Sequence, residues 1–177
     1  EGLVRLKQRI EALSATPIPV PPKGEWEAVS YGSGGAAYAH QMEERALQSM
    51  VRMALKDIAD AMGDVDAFIA QYDPKSRKVP KIAAEISARL LAAGRAEDAL
   101  GFIERAEVDN DRWVPHEWQD TRLEVLEALN RKDEAQAFRW ACFERDLSPD
   151  YLRGFLKRLP DFEDMEAEER AMDHAMK

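Results

Sequence analysis

The side chains with the most recognisable chemistry in this chain are Trp113, Trp118, Arg139 and Trp140, flanked by Arg112 and Arg145. Tryptophan supplies a large rigid contact area and arginine a fork of donors, and both are enriched at the energetic centres of protein interfaces. The same residues also fill seams between helices, where a guanidinium stacked on an indole is purely structural. Read as a surface, Trp113, Trp118, Arg139 and Trp140 are the candidate partner-binding residues. Read as core, they hold helices together.

Other groups point to chemistry less directly. Tyr31-Gly32-Ser33-Gly34-Gly35 precedes a helical segment, where successive backbone N–H groups can hold an anion. It lacks the Lys-Ser/Thr pair of a phosphate loop, and a flexible loop accounts for it. His40, Glu43 and Glu44 have i, i+3, i+4 spacing, but a stable metal site needs another His or Cys nearby, and only His116 and His174 remain. A solvated helix face is the expectation for them, as for His116-Glu117 and Asp173-His174. Cys142 shares a stripe with Ala135 and Phe138 and reads as a small buried hydrophobe. Asp161, Glu163, Asp164, Glu166, Glu168 and Glu169 form an acidic run, which at a helix start complements the macrodipole and aids solubility. None of these sets makes a catalytic constellation, so no enzymatic activity, cofactor or metal is expected.

Composition bounds the partners. The chain has 177 residues, 45% hydrophobic and 33% charged, enough for a folded core. A formal net charge of −9 opposes nucleic acid and anionic membranes, both of which need a concentrated positive field. A single cysteine excludes an internal disulfide framework and fits a reducing cytoplasm. No apolar run approaches the roughly 18 residues of a membrane span, and the start does not read as a signal peptide. The chain begins Glu1-Gly2 without Met, which reads as the C-terminal part of something longer.

The elements that must position these side chains are helices. Apolar residues at 3, 6, 10 and 13 predict a short N-terminal helix over 1–13. Prolines at 17, 19, 21 and 22 stop it, and residues 14–35 read as a Pro/Gly-rich linker ending in a flexible arm. The helical domain is expected over 36–177. Leu47, Met50, Val51, Ala54, Leu55, Ile58 and Met62 form its longest stripe and are its expected first core face. Helices over about 65–72, 80–93, 96–107, 116–129, 133–145, 151–159 and 162–176 follow, with Ile82, Ala83, Ile86, Leu90 and Ala93 as the core face of the second of these. Turn residues Gly63, Gly94 and Asn130 recur at intervals of 31 and 36 residues, close to the roughly 34-residue period of stacked helical hairpins.

In-register likeness supports the recurrence. Leu90 to Phe102 aligns with Leu126 to Phe138, matching Gly94 with Asn130, Arg95 with Arg131, the acidic pair 97–98 with 133–134, and Ala99 with Ala135. At Gly94, Ala99, Ile103 and Ala106 the chain resembles tetratricopeptide-like repeats, although Ile86, Leu90 and Leu91 stand where that family has aromatic residues. From Ala46 to Ala175, through Lys56-Asp57-Ile58-Ala59-Asp60-Ala61, Gly63 to Ala70, Arg139 to Arg145 and Leu156 to Phe162, it is similar to the C-terminal region of a bacterial family of unknown function. That resemblance implies a fold and a bacterial origin, and no activity.

The expectation is an all-α, tetratricopeptide-like right-handed α-solenoid of three to four helical hairpins, serving as a protein-binding or scaffolding module. A small-molecule or enzymatic pocket between hairpins is the alternative, and a structural or dimerisation domain of a longer protein is a third. The expected partner is a protein, not nucleic acid or membrane.

Overall fold

A computed structural model describes residues 1–32, 35–109, 113–160 and 162–176. Their regular structure is mostly helical: α1 (Gly2–Ala15), β1 (Ala28–Gly32), β2 (Gly35–Tyr38), α2 (Ala39–Met62), α3 (Val65–Ala70), α4 (Pro80–Ala92), α5 (Ala96–Glu104), α6 (His116–Ala128), α7 (Lys132–Asp146), α8 (Pro149–Leu156) and α9 (Glu163–Ala175). Short 3-10 turns lie at Lys23–Glu25 and Ser76–Lys78. The chain divides into two compact units, Glu1–Tyr72 and Asp73–Lys177, so the division falls inside the expected 36–177 domain and not at residue 35.

In the first unit α1 packs on α2, and α2 also meets α3 and β2. Two corrections arise here. The expected linker over 14–35 contains a strand: β1 and β2 pair antiparallel, Gly32 opposite Gly35 and Tyr31 opposite Ala36. An aromatic knot holds the hairpin's base, with Trp26 5.0 Å from both Tyr38 and His40, and the Trp26 indole donating to the Pro21 carbonyl at 2.8 Å. The prolines therefore end α1 without preventing local order. Second, the long stripe of α2 is only partly covered: Val51 and Ile58 are buried, Leu47, Ala54 and Leu55 are half-buried, and Met50 and Met62 are exposed. The 24-residue α2 is longer than its neighbours α1 and α3 together, and α1 itself buries no residue, so this face lacks partners for its full length.

The three turn residues behave as their chemistry dictates. Gly63, Gly94 and Asn130 all take left-handed backbone, with φ of 66°, 74° and 58°. Each closes the same pair of hydrogen bonds. Asp64, Arg95 and Arg131 donate their backbone N–H groups to Ala59, Leu90 and Leu126, five residues back, at 2.8–2.9 Å. This is the 6→1 bond that satisfies orphan carbonyls at a helix C-terminus. Nothing lies within 4 Å of a Cβ built on Gly94, so glycine is required there by backbone conformation and not by space. The next residue then pairs forward: Arg95 reaches Asp98 at 2.8 Å, and Arg131 reaches Glu134 at 2.6 Å.

In the second unit α4 packs on α5 and α6, α5 on α6, α6 on α7, α7 on α8, and α9 on both α7 and α8. Ala99 and Ala135 are buried, as small residues at close helix approaches must be, and the Ser87 hydroxyl donates across the α4–α5 seam to the Ala99 carbonyl at 2.9 Å. Of the expected α4 face, Ala83, Ile86 and Leu90 are buried, Ile82 is half-buried and Ala93 is exposed. Two further turns use left-handed non-glycine residues, Leu147 (φ 47°) after α7 and Phe162 (φ 78°) before α9.

Candidate functional site

The predicted partner-binding residues do not form one surface. Trp118 is buried between α5, α6 and α7: its indole donates to the Ile103 carbonyl at 3.3 Å, its ring meets Phe138 edge-on at 5.9 Å, and the Arg122 guanidinium lies over both rings. Trp140 is buried in a different seam, against Phe143 and Phe155 at 5.4 and 5.1 Å and under the Arg170 guanidinium at 4.0 Å. Arg139, one residue away, is 5% exposed and turns toward α6 and α8. Trp113 alone stays at the surface, 73% exposed, its ring edge-on to His116. Of the two readings, Trp118, Arg139 and Trp140 take the core one, and Trp113 keeps the surface one. Apolar burial of a large indole outweighs leaving it in water when a helix seam can receive it. Arg112, Ser33, Gly34 and Asp161 lie outside the described residues. Arg145 grips Asp146 with two hydrogen bonds of 3.0 and 2.8 Å, which raises its own pKa and holds the Asp146 carboxyl below the usual carboxylate range.

What Arg139 does reach is a groove. A cavity of about 380 Å3 lies between α6 and α8, lined by His116, Asp120 and Leu123 on one side and Asp150, Tyr151 and Gly154 on the other, with Arg139 of α7 beneath. A second cavity of about 360 Å3 is lined by Glu127 of α6, by Lys132, Ala135, Gln136 and Arg139 of α7, and by Arg158 after α8. Arg139 belongs to both. The lining follows helical spacing, with positions 116, 120, 123 and 127 making one face of α6 and 132, 135, 136 and 139 one face of α7.

The two ends differ in chemistry. At the first, the Tyr151 hydroxyl donates to Asp120 at 2.8 Å. Burial, and then that hydrogen bond, push the phenol pKa up, so it keeps its proton and donates it to Asp120. At the second, Arg139 and Arg158 both pair with Glu127, Arg158 at 3.0 Å, while Arg139 also donates to Gln136 at 3.0 Å. Gln136 in turn donates to the Phe155 carbonyl at 3.0 Å, tying α7 to α8. Gly154 leaves the Arg139 side chain in ordinary contact, 3.6 Å from where a Cβ would stand. The arrangement places hydrogen-bonding and charged side chains along one groove.

One family model, described as a family of unknown function, DUF6880, matches residues 1–177. The chain belongs to that family. The match includes residues 1–45, ahead of the Ala46–Ala175 stretch that carried the resemblance, so the likeness is not confined to a C-terminal portion. No curated protein and no solved structure matches the chain.

The remaining candidates occupy ordinary structural positions. The His40 ring lies against Trp26 and Tyr38, and the His174 ring nitrogen Nε2 is 2.9 Å from the Glu144 carbonyl. Among the described residues no group of three or more His, Cys, Asp or Glu side chains is placed to hold a metal, and no helix is long and apolar enough to cross a membrane. The acidic residues 163–169 open α9. Cys142 is buried, and burial raises its thiol from the ordinary 9.0 to about 11. The thiol should therefore resist a disulfide labelling reagent at pH 8 in the folded chain and react fully in denaturant. Because the folded pKa is raised, stability should be unaffected by this group below pH 9.0 and fall as pH climbs toward about 11, where only the unfolded thiol ionises. Rapid labelling of the native protein would place the sulfur at the surface.

The sequence reading missed Asp120, Glu127, Lys132, Tyr151, Gly154 and Arg158. Their spacing along α6, α7 and α8 was legible. Their mixed polarity hid it, since a groove face is neither an apolar stripe nor a uniformly charged one.

Proposed function

We propose that this chain is a protein-binding module of tetratricopeptide-like helical hairpins, in a bacterial cytoplasm, and that the groove between α6 and α8 receives a segment of its partner. The observation that carries the reading is the pair of cavities meeting at Arg139, floored by α7 and walled by alternate helices. In a right-handed stack of such hairpins the first helix of each pair lines the inner surface. Packing of α4 on α6 as well as on its own partner α5 supports that arrangement, as do the three matching left-handed turns. Trp113 and His116 stand at the groove's mouth and supply aromatic surface without disturbing the core. Net charge of −9 favours a basic or neutral partner surface overall.

Filling the groove tests the reading. Leucine at position 154 should project into the first cavity beside Arg139, and the exchange of a helical glycine for a better helix former favours α8 itself. Tagged wild type and Gly154→Leu, purified side by side from the native cell, should differ: partners held by the wild type are expected to fall about tenfold in the variant at an unchanged melting temperature. Equal recovery by both proteins would remove the groove as the docking site.

A further inference from the structure

The basic end of the groove suggests a ligand class of its own. Three cations, Lys132, Arg139 and Arg158, line the cavity of about 360 Å3 beside a single carboxylate, Glu127. Both guanidiniums are fixed on that one carboxylate, so Glu127 neutralises one charge and holds two in place. We propose that this cavity is a binding site for an oxyanion, the phosphate or carboxylate group of a small ligand.

Four observations carry the assignment. Arg139 is nine-tenths buried, with five N–H donors of which Gln136 and Glu127 take only some, and a guanidinium withdrawn from water gains most from an anionic acceptor. Arg158 is only half-exposed, and its Nη1 is braced on the Gly154 carbonyl at 2.9 Å, so its orientation is set before any ligand arrives. Lys132 has no ionic partner among the described residues and completes the positive lining as a mobile point charge. Finally, the excess of positive charge stands in a chain whose net charge is −9. At physiological salt, charges beyond about 8 Å are screened, so the local cations govern what enters. A volume of about 360 Å3 admits a ligand larger than the bare anion, with Ala135 giving apolar contact beside the charged head.

The inference rests on the basic cavity alone and survives if no protein docks in the groove. Arg139 is left intact in the test because its removal threatens the fold, whereas Lys132 and Arg158 are solvent-accessible and their loss leaves the Arg139–Glu127 pair standing. The full chain is titrated calorimetrically with inorganic phosphate and, separately, with glutarate, at fixed ionic strength in chloride. Saturable binding of either anion that weakens about tenfold in Lys132→Gln or Arg158→Gln supports the site, and the anion that binds identifies the source of the oxyanion. No saturable binding of either anion, or binding kept at wild-type strength by both variants, overturns it.

Discussion

Ile86→Asp should leave residues 73–177 largely unfolded at room temperature. Ile86 has no exposed surface and sits on α4, the helix that packs on both α5 and α6. The variant loses the transfer energy of a whole buried aliphatic side chain, about 2 kcal/mol, and adds the burial of an unpaired carboxylate, which costs several kcal/mol more unless the group takes up a proton. Stabilities of folded domains are only about 5–15 kcal/mol, so the sum consumes most or all of it. Loss of the far-ultraviolet helical signal for that part of the chain, with a shift of the urea midpoint toward zero, is the expected readout. Leu55→Asp on α2 makes the contrast. Leu55 is half-buried, so its substitution can turn the carboxylate toward water and should cost about 1–2 kcal/mol. If Leu55→Asp proved the more damaging of the two, the placement of the core in α4 would be wrong.

The half-burial of Leu55 beside the full burial of Ile86 shows where sequence reasoning reaches its limit. The stripe on α2 has the better helical periodicity, but periodicity reports that a face is apolar and not how much of it finds a neighbour. The turns were legible for the opposite reason. Gly63, Gly94 and Asn130 are local statements, because left-handed backbone is cheap for glycine and tolerable for asparagine whatever lies around them. Leu147 and Phe162 adopt the same conformation against their own preference, so no residue type announced those two turns. The β1–β2 hairpin was obscured by flanking prolines that argued for a linker, and the knot of Trp26, Tyr38 and His40 at its base is a tertiary contact. The groove was the least legible feature. Its walls come from α6, α7 and α8, and Glu127 meets Arg158 across 31 residues of chain, a pairing that no local pattern encodes.

Arg139→Glu and Trp113→Ala should separate cleanly in stability, although the sequence groups the two residues together. Arg139 is 5% exposed and its guanidinium is shared between Glu127 and Gln136. Reversing its charge removes both hydrogen bonds and sets a second carboxylate against Glu127 at a position that is itself 5% exposed. Breaking a fully buried pair costs about 3–5 kcal/mol. Glu127 is 38% exposed and keeps Arg158, so the expected loss lies toward the lower end of that range. Trp113 is 73% exposed, and substitutions at such positions stay within about 0.5 kcal/mol of wild type. Arg139→Met should fall between them, since it keeps the apolar stem and leaves Glu127 still paired with Arg158. Urea titrations of the three variants beside wild type measure the order. A melting temperature for Arg139→Glu matching that of wild type would put the guanidinium at the surface, and the four-residue interaction patch would stand in place of the groove.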